Sequence, residues 1–556
     1  MRHYASSIIP GLLLCASILV SCNGKVNPDP VVEELKPAAV QWDGVKRADI
    51  TYQLLLYSFA DGNGDRYGDL KGLTEHLDYI DELGASAVWL SPLHPSPSYH
   101  GYDVSDYDSV NPKFGTMQDF DAFVAKAHSL GIKVYLDLVL NHTSTSHEWF
   151  KSASSDRNSP YREYYLFSDD PKADLAAGRI PMFATEGASA WDSSQWMKSS
   201  TGWYHSHFST SAFADLNYGP AASCSESAAY RALTASADAW IRRGVDGFRL
   251  DAVKHIYHNA QSTENPTFLN LFYNHCNKNY KAEGGRGDFY IVGEVFDEAD
   301  KVAPYYKGLP ALFEFSFWNR LEWAVNNGIG RYFYSDISSY RQMYAGYRQN
   351  AIAATKLSNH DEDRAGSRLG KSPEKEKLAA AVLLTCSGSP YIYQGEELGY
   401  WGEKSGGDEY VRAPIAWKNS SATADAALGS RVDKSMLSAA GSVSAQEQDA
   451  NSVLRAYRYF ARLRNAYPAL AQGDMRPHPV YNQDKQSHEA LAVWYRSLDD
   501  QTLLVVHNFS DHSVSAAFKD DDLSRPIALQ GKASVRTVNG IKSLVIDAYS
   551  TVILQQ

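Results

Sequence analysis

The sequence predicts an α/β fold: a closed (β/α)₈ TIM barrel, interrupted after its third strand by an inserted domain and followed by a C-terminal antiparallel β domain. Three observations predict it. From about residue 48 to 470, short apolar runs of strand character alternate with amphipathic helical stretches. One connection, from Asn141 to about Tyr218, is far longer than loops between barrel elements and is rich in Ser, Asp and aromatic residues such as Trp191, Trp196 and Trp203. After about residue 472 the periodicity drops from that of helices to that of strands.

The elements follow in chain order. Arg2 and the apolar stretch 8–20 form a leader too short to span a bilayer, ending Leu19-Val20-Ser21-Cys22. That ending resembles the bacterial lipobox, which predicts a lipoprotein signal peptide over 1–21 and a lipidated Cys22 as the membrane anchor. Residues 22–46, with Asn-Pro-Asp-Pro and Lys-Pro, read as a flexible tether. The barrel is expected over 47–141 and 219–471, with strands at 52–58, 87–90, 133–140, 247–250, 290–293, 312–317, 353–357 and 390–393. The insertion is expected over 142–218 and the terminal β domain over 472–556, with strands near 491–495, 502–506 and 513–518. The Ser/Ala-rich run at 420–446 reads as a surface loop.

Composition narrows the function. The formal charge of −12, without a basic run, argues against nucleic acid as a partner. The 36 Tyr and 12 Trp fit either a large core or a cleft whose flat rings pack on sugars. Apart from Cys15 and Cys22, the cysteines are Cys224, Cys276 and Cys386, an odd number without metal-type spacing. They predict buried free thiols rather than disulfides or zinc.

Four segments carry the chemistry: 131–142 ending Asn141-His142, 247–255 around Asp251, 291–296 around Glu294, and 357–361 ending Asn359-His360-Asp361. Each is a β-prone run with an acid at or just beyond its end, the position at which parallel barrels present reactive side chains. Three acids at one mouth fit the cleavage of a glycosidic bond, which needs a nucleophilic carboxylate and a carboxyl that gives and then takes a proton. Asp251 suits the first role, because Arg249 leaves the same face of the strand two residues earlier and favours the ionised form. Glu294 suits the second, since it ends a wholly apolar strand where desolvation favours the protonated form. Asp361 is the third acid, stabilising positive charge on the sugar ring. His142 and His360 are placed to bind hydroxyls and Tyr102 to stack beneath the ring. Any one such acid is more often a helix cap or loop anchor than a catalyst, about four times in five; the joint occurrence carries the argument.

Asp61-Gly62-Asn63-Gly64-Asp65-Arg66-Tyr67-Gly68-Asp69 spaces oxygen ligands like the first half of an EF-hand loop: side chains of Asp61, Asn63, Asp65 and Asp69, and the carbonyl of Tyr67. It predicts a structural Ca²⁺ site. Arg66 stands where an EF-hand has Gly, and Gly72 where it has its bidentate Glu.

Together these segments resemble glycoside hydrolase family 13, the α-amylase family. Asp137 to His142, Gly247 to His255, Gly293 to Phe296, and Asn359-His360-Asp361 match its four conserved regions in order. Further matches are His100-Gly101-Tyr102-Asp103, Gly388-Ser389-Pro390, Gln394-Gly395-Glu396-Glu397, and Ala214-Asp215-Leu216-Asn217, in which Ala214 replaces the usual Pro. The resemblance spans roughly residues 48–556. It implies the barrel, the inserted domain B, a C-terminal β-sandwich (domain C) and a retaining mechanism. It also implies Asp251 as nucleophile, Glu294 as acid/base, Asp361 as transition-state stabiliser, and a substrate site formed by His100, Tyr102, His142, Arg249, His360 and Arg364. Lys254-His255 is similar to the pair with which true α-amylases contact the leaving side of an α-1,4-glucan. A second Ca²⁺ is implied at Asn141, Asp215 and the carbonyl of His255, although in several relatives Asn141 and Asp215 only hydrogen-bond.

The expectation is therefore an endo-acting α-amylase on starch or maltooligosaccharide. Its implied setting is the outer membrane of a bacterium, with a surface glucan-uptake complex as partner. The alternatives are an exo-acting α-glucosidase, oligo-1,6-glucosidase or transglycosylase of the same family, and a glucan-binding protein with an inactive barrel.

Overall fold

Among the residues described by the computed structural model (31–418, 421–422, 424–481, 488–523 and 525–556), eight parallel strands close into a barrel. The leader and Cys22 lie outside the described residues. The first strand, β1 (Val31–Glu34), is not part of the barrel. The barrel begins with β2 (Thr51–Leu54), β3 (Ala87–Leu90) and β4 (Lys133–Leu138). The chain then leaves it for β5 (His142–Ser144), β6 (Phe167–Ser168), β7 (Trp196–Ser199), β8 (Gly202–His205) and β9 (Phe213–Asp215). β5 pairs with β9, and β6, β8 and β7 form a three-stranded sheet, so the insertion after the third barrel strand has sheets of its own. The barrel resumes with β10 (Gly247–Leu250), β11 (Tyr290–Gly293), β12 (Ala311–Glu314), β13 (Ile352–Thr355) and β14 (Ser389–Tyr393), and β14 closes on β2.

Alternation along each strand separates two cores. Ala87, Trp89, Tyr135, Phe313 and Tyr391 pack inside the ring. Val88, Leu90, Val134 and Leu136 face the surrounding helices. Filled in this way, the barrel is a solid platform and not a pore, and its chemistry is confined to the mouth where the strands end.

Four predicted barrel strands end early, two of them by three or more residues. The run expected to 58 turns helical at Leu56, and the run expected to 317 stops at Glu314, whose side chain accepts the Ser316 N–H and caps the helix Phe315–Asn327. The expected surface loop at 420–446 holds the helices Lys434–Ala440 and Val443–Gln448, capped by Asp433 and Ser442. Both bury apolar residues (Met436, Leu437, Val443) that the Ser/Ala composition concealed.

After a short hairpin, β15 (Ala416–Lys418) with β16 (Ser421–Ala422), the terminal strands are β17 (Asp474–Pro477), β18 (Leu491–Leu498), β19 (Gln501–Asn508), β20 (Val514–Ala517), β21 (Pro526–Gln530), β22 (Ala533–Val538), β23 (Ile541–Ile546) and β24 (Thr551–Gln555). They build two antiparallel sheets, in the orders β17-β18-β19-β24-β21 and β1-β22-β23-β20, over a shared core that includes Val493, Leu504, Val506, Leu544 and Val552. Here the expectation of a tether over 22–46 needs correction. Val31 to Glu34 pairs antiparallel with Thr537 to Ser534, because β22 would otherwise present an open edge. Cys224, Cys276 and Cys386 are buried free thiols, as expected.

Candidate active site

Register sets the site. On the paired strands β4 and β10, Asp137 lies opposite Arg249, and both point into the mouth of the barrel. Asp251 follows β10 and Glu294 follows β11, so neighbouring strand ends deliver two acids at one level. Arg249, fully buried, joins all three: Nη1 lies 3.0 Å from Asp137 and 2.7 Å from Asp251, and Nη2 lies 2.9 Å from Glu294. Asp251 and Glu294 thus rest on the two terminal nitrogens of one guanidinium, as two carboxyls serving a single bond require.

Asp361, in the loop after β13, completes the set. Its oxygens lie 2.8 Å from Arg412, 3.2 Å from Lys404 and 3.0 Å from His360 Nε2. His360 is fixed in turn by Gln53, 2.9 Å from Nδ1, and by the Tyr102 hydroxyl, 2.6 Å from Nε2, with the Tyr102 ring stacked parallel to it. The Tyr102 hydroxyl also donates to Asp137 at 3.0 Å. His142 Nε2 lies 3.2 Å from the Tyr102 carbonyl, and its ring stacks on Phe213.

One cleft of about 360 Å³ is lined by His100, Tyr102, His142, Asp251, Glu294 and Asp361, together with Phe208, Phe213, Asp408 and Arg412. Its acids are shifted in opposite directions. Burial raises Asp251 and Glu294 above the ordinary carboxyl range, with Arg249 only partly offsetting it. Burial pushes Asp137 up to about 7. For Asp361 burial acts in the same direction, but His360, Arg412 and Lys404 outweigh it and hold the carboxyl well below the usual range. Burial lowers His142 to about 4, leaving it neutral.

Two expected substrate residues sit at the edge of this cleft. Lys254 Nζ donates to the Phe296 carbonyl at 2.6 Å and lies 3.3 Å from Asp297; His255 stacks on His207 with ring centres 3.9 Å apart. Arg364 needs correction. It is buried beside the end of β14, donating to the Gln394 carbonyl at 2.9 Å with its guanidinium over the Tyr393 ring, and is not among the residues that line the cleft. The cations that do reach Asp361 are Lys404 and Arg412, more than 40 residues further along the chain and invisible to motif spacing. Nor does the sequence pattern single out Asp137, Gln53 or Asp408. Asp137 stood inside a recognised segment, and its inward position on β4 follows from strand alternation.

The chain matches the sequence profile described as "Alpha amylase, catalytic domain" over residues 53–473. It belongs to the α-amylase family, glycoside hydrolase family 13. A profile described as "Alpha-amylase SusG C-terminal domain" matches residues 491–553. Among relatives, the chain is 42% identical to "Alpha-amylase SusG" of Bacteroides thetaiotaomicron, over 100% of this chain and 99% of the other, and 34% identical to "Alpha-amylase 3" of Dictyoglomus thermophilum, over 91% and 93%. A solved α-amylase from H. orenii superposes with a TM-score of 0.77 at 31% identity, over 92% of this chain and 100% of that one.

Members of the α-amylase family commonly hold calcium, and the 61–69 loop has the donors for it. Asp61, Asn63 and Asp65 curl the backbone by accepting the N–H groups of Asn63, Gly64, Asp65, Arg66 and Tyr67, while Asp69 accepts those of Gly62 and Gly72. Burial raises the Asp69 carboxyl, and the nearby Asp61 and Asp65 raise it further: converging negative charge that suits a hard cation. Arg66 adopts the left-handed conformation (φ 67°) for which an EF-hand uses Gly, so the loop keeps the bend despite the substitution. The second expected set fits less well. The Asn141 amide donates to the His255 carbonyl, and Asp215 Oδ2 is taken by His205 and the His207 N–H, so the oxygens this set needs are already engaged, except Asp215 Oδ1.

Proposed function

We propose that this chain is an endo-acting, retaining α-amylase that cleaves α-1,4-glucosidic bonds of starch and maltodextrin. The observation that carries the reading is the convergence of Asp251, Glu294 and Asp361 on one cleft, with the first two sharing the Arg249 guanidinium. Glu294, favoured in its protonated form by burial, gives its proton to the glycosidic oxygen as that bond breaks. The Asp251 carboxylate attacks the anomeric carbon from the opposite face and forms a glycosyl ester. Water, deprotonated by the now anionic Glu294, then displaces Asp251 and restores both groups. Asp361, held ionised by Arg412 and Lys404, stabilises positive charge on the ring in both transition states. His142, neutral, and His360 bind sugar hydroxyls, and Tyr102 supports the ring. His100 and Arg249 complete the subsite, with Lys254 and His255 on the leaving side.

In this reading the barrel (47–141 and 219–471), domain B (142–218) and domain C (472–556) form the mature enzyme. Lipid on Cys22 holds it at the outer membrane beside a glucan-uptake complex. The lipobox and the likeness to a protein named SusG support that placement. Asp61, Asn63, Asp65, Asp69 and the Tyr67 carbonyl would hold Ca²⁺, or Mg²⁺, which would brace the loop after β2.

Time-resolved product analysis on amylose and maltotriose tests the function. Mixed short maltooligosaccharides appearing early are expected; glucose alone from the first time point would move the assignment to an exo-acting α-glucosidase. Asp251→Asn is expected to lose hydrolysis by about four orders of magnitude or more while still binding maltooligosaccharide. Near-normal turnover in that variant refutes the role given to Asp251.

A further inference from the structure

We propose a second metal site of different chemistry: a centre for Zn²⁺ or a similar borderline-soft divalent ion, formed by His205, Asp215 and His258. The three lie where the insertion meets the barrel. His205 ends β8, Asp215 ends β9, and His258 follows the turn after β10. Their side chains are 0%, 2% and 4% exposed, and one ligand atom from each lies within 4.8 Å of the others.

The polar contacts at this junction are incomplete. His205 Nδ1 lies 2.7 Å from Asp215 Oδ2, but His258 Nε2 stands 4.0 Å from the same oxygen. That gap is too long for a hydrogen bond. Two ligands of one tetrahedral zinc, each about 2.0–2.1 Å from the ion, lie about 3.3–3.4 Å apart, so a bound ion needs His258 to move in and the His205–Asp215 pair to part, each by well under about 1 Å. Three buried polar atoms here, His205 Nε2, His258 Nε2 and Asp215 Oδ1, have no hydrogen-bond partner among the described residues. Buried polar groups are rarely left so, and three at one junction call for a missing partner.

The donor set selects the ion. Two imidazoles favour Zn²⁺, Co²⁺, Ni²⁺ or Cu²⁺ over Ca²⁺, which takes oxygen ligands. The centre therefore differs from the oxygen-only calcium set implied by the family, with which it shares only Asp215. The Phe183 ring lies flat on His258 (3.9 Å between centres) and the Trp196 ring meets His205 edge-on (5.0 Å), forming an apolar wall that orients both ligands. Such an ion would staple strands β8 and β9, and with them the cleft residues Phe208 and Phe213, to the barrel.

Metal titration of the chelator-stripped protein tests this. The expected result is one tightly bound Zn²⁺ per chain, Co²⁺ absorption of low-coordinate N/O type, and a rise in melting temperature with zinc. His258→Gln is expected to weaken zinc binding by at least about tenfold, while Asp65→Asn leaves it intact. The proposal is overturned if the wild-type protein takes up no stoichiometric Zn²⁺ or Co²⁺, if His258→Gln binds them equally well, or if a crystal grown with zinc shows a water bridging the three residues. Should His258→Gln fail to fold, the wild-type titration alone decides.

Discussion

Replacing Arg249 by Met removes the guanidinium that touches Asp137, Asp251 and Glu294 while keeping much of its volume. Taking one partner from a buried ion pair costs about 3–5 kcal/mol, because a desolvated charge is left behind. Here the charges can escape by taking up protons: Asp137 already lies at about 7, and Asp251 and Glu294 are already raised. Without Arg249 all three rise further. A carboxyl whose folded value lies above its unfolded value favours the fold when protonated, so its contribution is present at low pH and lost as pH rises. The expected penalty is therefore smallest at acid pH, below the unfolded carboxyl values of about 4, and grows to about 3–5 kcal/mol by pH 8. Urea melts of both proteins across that range measure it. In parallel, the acid limb of the pH–rate profile on a soluble maltooligosaccharide moves up by about one unit or more, since Asp251 must be ionised to attack. A stability penalty independent of pH would refute the view that Arg249 acts by neutralising these acids.

Three other perturbations test separate parts of the structure. Burial, then Glu396 and Glu374, push Glu376 up to about 8 from an ordinary 4.5, so the wild-type fold loses stability as pH rises between those values; Glu376→Gln is expected to flatten that decline and melt higher than wild type at pH 8, by about 1–3 kcal/mol. Equal pH profiles for the two proteins would remove the argument. Calcium added to stripped protein should raise its melting temperature, since an ion bound only by the folded loop stabilises the fold, and Asp65→Asn should abolish that response. Glu294→Gln should slow starch hydrolysis by about 10³-fold or more, yet slow cleavage of an α-glucosyl fluoride much less, because fluoride leaves without a proton; equal losses on both substrates would contradict the acid role.

The sequence by itself determined the barrel, the insertion after its third strand, the terminal β domain and the positions of Asp251, Glu294 and Asp361. All of these rest on local signals: strand-length apolar runs, helical periodicity between them, and acids at run ends. Strand alternation even carries the inward placement of Arg249 and Asp137, since residues two apart share a face. Only the tertiary structure decided which side chains meet across long separations. Arg412 and Lys404 reach Asp361 from the segment after the last barrel strand, while Arg364, three residues from Asp361 in sequence, is held by the Gln394 carbonyl and the Tyr393 ring. Val31–Glu34 reads as linker because its residues carry no pattern of their own; it becomes a strand because β22, some 500 residues later, offers an open edge. Short-range pattern records what a segment can form, whereas the long-range cost of desolvating charge and leaving edges unpaired decides where it goes.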